Sequence, residues 1–159
     1  MEAFKLHEKP MLYRAGPMNI YVRIRTRFGT RVAEWMLAAV TALWGTVLLL
    51  PTDTYTTSPV FNFISHVISE PVLGAAMLFF GLLRIVGLFV NGARQDVTPW
   101  IRVVSASFGF LVWSLICFSF ALSGVISTWA ATYTVFAVTE VFNVYRAAHD
   151  AGAYARHVA

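Results

Sequence analysis

The chain has 159 residues, 58% of them hydrophobic and only 13% charged, with 12 Lys/Arg against 8 Asp/Glu and a formal net charge of +4. Soluble domains carry about 25% charged residues, so this balance falls outside their range and predicts one all-α, polytopic membrane domain. The single cysteine, Cys117, excludes an intramolecular disulfide, a paired-thiol redox centre and a cysteine zinc site.

Residues 1–31 form a basic segment, with Lys5, Lys9, Arg14, Arg23, Arg25, Arg27 and Arg31 against Glu2 and Glu8. That bias marks a cytoplasmic end. Across 18–28 the pattern admits an alternating strand or an amphipathic helix. The helix is preferred because an isolated strand has no sheet to join, and it sets Arg23, Arg27 and Arg31 on one side beside Ile20, Ile24 and Phe28. Arg23, Arg25, Arg27 and Arg31 then make a membrane-surface basic patch for anionic lipid, at about 1 kcal/mol per basic residue, or serve as a topology signal alone. No small-residue cleavage pattern follows the first apolar run, which reads as a retained helix.

Four spans are expected, at about 32–50, 72–90, 100–122 and 125–145, making a transmembrane domain over 32–146 followed by a tail at 147–159. Between the first two lies a stretch with Asp53 and Glu70 but no Lys or Arg, expected outside the cytoplasm. Within it, 59–69 reads as a short helix lying on the outer interface. Its apolar face would be Val60, Phe61, Ile64, Val67 and Ile68, opposite Asn62, Ser65, His66 and Ser69, with Ser58 and Pro59 starting it. His66 reads as a solvated histidine rather than a metal ligand. Lys/Arg counts by loop place both termini in the cytoplasm, in an antiparallel four-helix bundle. Trp35, Trp100 and Tyr145 would mark one interfacial belt, Tyr55 and Trp129 the other.

The second span contains Arg84. A centrally placed arginine costs roughly 2.5–3.5 kcal/mol on insertion scales, so it must face the bundle, pair, or reach an interface. Glu140 in the fourth span is the matching acid. Arg84 lies seven residues from Asn91 and Glu140 six from Arg146, so both sit about 10 Å inside the same boundary. Glu34 and Arg102 lie nearer that boundary as a second, shallower pair. With Asn91 and Asn143 they make a polar cluster on small-residue faces: Ala38, Thr41 and Gly45; Gly74, Gly81 and Gly87; Ser105 and Gly109; Tyr133, Ala137 and Ala147. Two functions remain open for the cluster, an ion-pair network that fixes helix order and a conduction or substrate site. The first is favoured because the charges balance, leaving Arg84 a paired charge.

Other chemistry is missing. His7, His66, His149 and His157 fall outside the spans, so haem ligation is not expected, and no Ser/His/Asp set, HExxH or phosphate loop is present. No enzyme, cofactor, metal or nucleic-acid partner is expected.

Arg31-x-Ala33-Glu34-Trp35, the Leu49–Tyr55 stretch L-L-P-x-D-T-Y and the Gly81–Gly92 stretch G-L-L-R-I-V-G-L-x-V-N-G resemble small four-span membrane proteins encoded by tailed bacteriophages of proteobacteria. Some of those proteins are called holins. The resemblance covers about residues 20–146 and implies a host inner-membrane location without naming an active residue. A holin-like protein acting by self-association is one expectation, and an accessory subunit binding a protein partner through the outer helix is another. A small ion or solute transporter using Arg84 and Glu140 is the alternative.

Overall fold

Five α-helices and a 3-10 turn (Thr54–Thr57), with no strand, make up the described residues, 31–90 and 98–158 of a computed structural model. The helices are α1 (Val32–Leu48), α2 (Phe61–Val67), α3 (Glu70–Val90), α4 (Thr98–Ser123) and α5 (Thr128–Val158). Arg23, Arg25, Arg27 and Asn91 lie outside the described residues. α3 and α4 are each long and apolar enough to cross a membrane, and α1 is a shorter apolar helix of 17 residues. Membrane association is thus supported at the level of two spanning helices.

The four long helices form two tight antiparallel hairpins, α1 with α3 and α4 with α5. The hairpins meet mainly along α3 and α4, with a thinner contact between α1 and α5. The first hairpin is glycine-driven. A Cβ at Gly81 would fall 2.6 Å from the Ala42 backbone nitrogen, and one at Gly45 would strike the backbone nitrogen of Leu78. Only hydrogen fits, so the two backbones touch, as small residues allow when helices associate without a hydrophobic drive. The second hairpin turns at Gly124, whose φ of 67° is left-handed and suits glycine after a helix end. Ser127 then caps α5, its Oγ accepting from the Trp129 N–H at 3.3 Å. That cap starts the helix at Thr128 rather than 125.

Two expected boundaries need correction. α5 does not end near 145: it continues as one helix of 31 residues to Val158, about 46 Å at 1.5 Å per residue. The span expected at 125–145 and the tail after it form one helix, because the Ala-rich, proline-free stretch after Arg146 keeps helical propensity as apolarity falls. The helix predicted at 59–69 is shorter, Phe61–Val67. α2 turns its apolar face onto the end of α4 and not outward, with Val60 and Ile64 3% and 0% exposed, while Val67 is left open. Ile64 enters the core formed by Leu48, Leu73, Met77, Val112, Trp113, Ile116, Tyr133 and Ala137.

The loop before α2 is clamped by Glu70. Its carboxylate accepts from the Thr54 N–H at 2.8 Å and the Tyr55 N–H at 3.0 Å, satisfying free donors at the start of the 3-10 turn. Tyr55, expected in an interfacial belt, instead folds in and stacks on Phe61 at 5.3 Å. Burial, with Glu70 nearby, pushes its phenol up to about 12. It therefore stays neutral, and its hydroxyl is buried without a partner.

Candidate functional site

The buried charged side chains gather at one end of the bundle, the end opposite α2. Arg84 on α3 and Glu140 on α5 are 2% and 0% exposed, and the arginine Nη1 donates to Glu140 Oε1 at 2.5 Å. Asn143, one turn along α5, donates from Nδ2 to Glu140 Oε2 at 2.9 Å. Gly109 of α4 makes room for this carboxylate, since a Cβ there would lie 2.6 Å from Oε1. Helical spacing explains the assembly: Glu140, Asn143 and Ala147 share the buried stripe of α5, and Gly81, Arg84, Gly87 and Leu88 that of α3.

A second group lies nearer the helix ends. Arg102 Nε and Nη2 each donate at 2.7 Å to the two oxygens of Glu34, a side-on fork, while its Nη1 donates at 2.7 Å to Asp150 Oδ2. Asp150 also accepts from Arg31 Nη2 at 3.1 Å. The expected two-acid, two-base cluster is therefore larger. Arg31, Arg84 and Arg102 stand against Glu34, Glu140 and Asp150, so the set is neutral. Arg31 was expected on the lipid surface with the basic patch. It is drawn to the bundle instead, with 16% of its side chain exposed.

Asp150, in the stretch expected as a tail, is the added acid. Its signal was present: it follows Asn143 by seven residues, two turns on the same helical face. The long reach of arginine sets the topology of the network. α1 and α4 face each other across the bundle, as do α3 and α5. Glu34 with Arg102 bridges the first diagonal, and Arg84 with Glu140 the second.

The hydroxyls on the same stripes do not cross between helices. Thr41 donates to the Leu37 carbonyl at 2.8 Å and Ser105 to that of Ile101 at 2.7 Å, each bonding back to its own helix. They act as small residues, and the buried lateral polar contacts on these stripes come from charged groups.

The two arginines differ in one respect. Arg102 uses Nε, Nη1 and Nη2, whereas Arg84 uses Nη1 alone, its Nε and Nη2 being buried with no hydrogen-bond partner. The expected Arg84–Glu140 pair is therefore formed, but through Nη1 alone. Nothing in residue spacing could have revealed which guanidinium edge is used.

The opposite end is aromatic. Trp113 is fully buried, stacked on Tyr133 at 5.8 Å with the edge of Trp44 at 5.6 Å. Beside it, α2 and the end of α4 frame a groove of about 430 Å³ lined by Asn62, Phe63, His66, Ser119 and Leu122. His66 is exposed, and its Nδ1 donates to the Asn62 carbonyl at 2.6 Å. Among the described residues no group of three or more His, Cys, Asp or Glu is placed to hold a metal ion. Cys117 is free and half-buried, 3.6 Å from the Thr134 hydroxyl. Comparison of the chain with protein families, curated proteins and solved structures found no match.

Proposed function

We propose that this chain is a four-span protein of the bacterial inner membrane, encoded by a phage, that works by packing against other proteins as a holin-like or accessory membrane component and not by catalysis. The observation that carries this reading is how the bundle divides its surfaces. Glycine faces and charges are used internally, while Leu43 on α1, Phe79 on α3, Leu111 on α4, and Val135 and Phe142 on α5 point outward with 59% or more of their surface exposed. Such an exterior suits lipid or another apolar helix, and water poorly. In this reading α1 spans with its 17 residues, about 26 Å, and α5 spans and then projects into the cytoplasm. The ionic end faces the cytoplasm beside anionic lipid, as the basic count of residues 1–31 supports.

Self-association, if it is the mode of action, uses the large exposed side chains, because the glycine faces are already occupied within each chain. Controlled expression in a bacterium, with membrane potential and culture density recorded, separates the two forms. Abrupt collapse at a set time supports the holin-like form. Sustained growth removes it, and a partner retained through purification in mild detergent then supports the accessory form. A lone monomer with no effect on growth sinks both. Transport of a small ion or solute is favoured by one observation, the unfilled edge of Arg84.

A further inference from the structure

The geometry points to the Nε/Nη2 edge of Arg84 as a binding site for a small oxyanion, a carboxylate or phosphate group whose two oxygens take the side-on fork that Glu140 leaves free. Arg102 supplies the pattern within the same bundle. There one carboxylate, Glu34, fills the Nε/Nη2 fork while a second, Asp150, takes Nη1. Arg84 has the second kind of partner, Glu140 on Nη1, and lacks the first. The guanidinium is 2% exposed, so water outside the bundle does not serve the empty edge. Buried charged donors left unmade are costly, which gives a ligand with two parallel acceptor oxygens its advantage over a spherical anion.

Asn143 donates to the other oxygen of the Glu140 carboxylate, which sits in the space left by Gly109, so Glu140 is held on Nη1 and not on the fork. The two nitrogens are buried in this conformation, so binding requires local opening of the bundle around Arg84. The site goes beyond the packing role proposed above, and binding is separate from whether the anion crosses the membrane.

The experiment uses the full chain in a maltoside detergent free of phosphate groups, with thermal unfolding followed in sodium acetate, sodium phosphate or sodium chloride at matched ionic strength. A fourth sample adds phosphatidylglycerol, which separates a lipid phosphate from a free oxyanion. At about a hundredfold excess over Kd, mass action raises Tm by about 5–10 °C. The Arg84→Lys variant keeps a cation for Glu140 but loses the fork, and its shift should vanish. A shift from acetate or phosphate assigns the site to a free oxyanion, and one from the lipid alone assigns it to a headgroup. Equal shifts in both proteins, or none in any arm, overturn the inference. Should the variant not fold, the Arg84 Nε–H resonance of the unmodified chain replaces it: titration with acetate and phosphatidylglycerol must move that signal, and an unmoved signal overturns the site.

Discussion

The two ends of this bundle are held together by opposite means. At one end, charged side chains reach across the diagonals, Glu34 to Arg102 and Arg84 to Glu140. At the other, Trp44, Trp113, Tyr133 and Phe136 interlock as rings 5.2–6.2 Å apart. In water both would count as core. In lipid they differ, because an unfolded helix in the bilayer already sits in apolar surroundings, so the aromatic end gains packing but little transfer energy. An unpaired charge, by contrast, has no water to fall back on.

The largest effect should therefore come from the ionic end. Arg84→Gln or Glu140→Gln alone removes one partner from a buried pair, with an expected loss of about 3–5 kcal/mol. The double substitution should recover most of it, because no buried charge is then left over. A double-mutant cycle by reversible unfolding in mixed detergent measures this, and additive losses would show that the pair is not a unit. Trp113→Ala should rank next. In a soluble core it would cost about 3–5 kcal/mol, but with the transfer contribution diminished roughly 2 kcal/mol of lost packing remains. If Trp113→Ala proves as damaging as Arg84→Gln, the comparison fails and the rings are shielded from water, not lipid.

Gly109→Ala sharpens the contrast at smaller scale. The new Cβ would stand 2.6 Å from Glu140 Oε1, an atom at the end of a flexible side chain but pinned by Arg84. A loss of about 1–2 kcal/mol is expected. In the Glu140→Ala background the obstruction is gone, and the same glycine change should cost nothing measurable. Equal losses in both backgrounds would place the strain in the backbone and not in the carboxylate.

Much of the ionic end was legible in the sequence, for a physical reason. Few charges occur in apolar runs, so Arg84, Glu140, Glu34 and Arg102 stand out, and helical rise alone fixes their depths. Small-residue spacing marked the inward faces, and every described residue on those stripes is buried. The aromatic end was not legible as a unit. Aromatic side chains are common on lipid-facing and core-facing sides alike, so Trp44 and Trp113 carry no positional signal until backbones are placed. Depth reasoning also broke at the helix end, where the chain leaves apolar composition without leaving the helix. Asp150 was lost there, and with it the company of Arg31.

That residue supplies the smallest effect. Asp150 accepts from Arg102 Nη1 and from Arg31 Nη2, but 40% of its side chain is exposed, whereas Glu34 on the same arginine has 1% exposed. Solvent screens the outer carboxylate, and Arg102 keeps its two-point hold on Glu34 when Asp150 is neutralised. Asp150→Asn should therefore cost less than about 1 kcal/mol, and less again at 0.5 M salt. Glu34→Gln, one helix away on the same guanidinium, should cost several times more and respond little to salt. If the two changes cost the same, or if salt moves both alike, burial does not separate the inner from the outer carboxylate. The gradient from exposed Asp150 to dry Glu140 would then be absent from the energetics even though it is plain in the geometry.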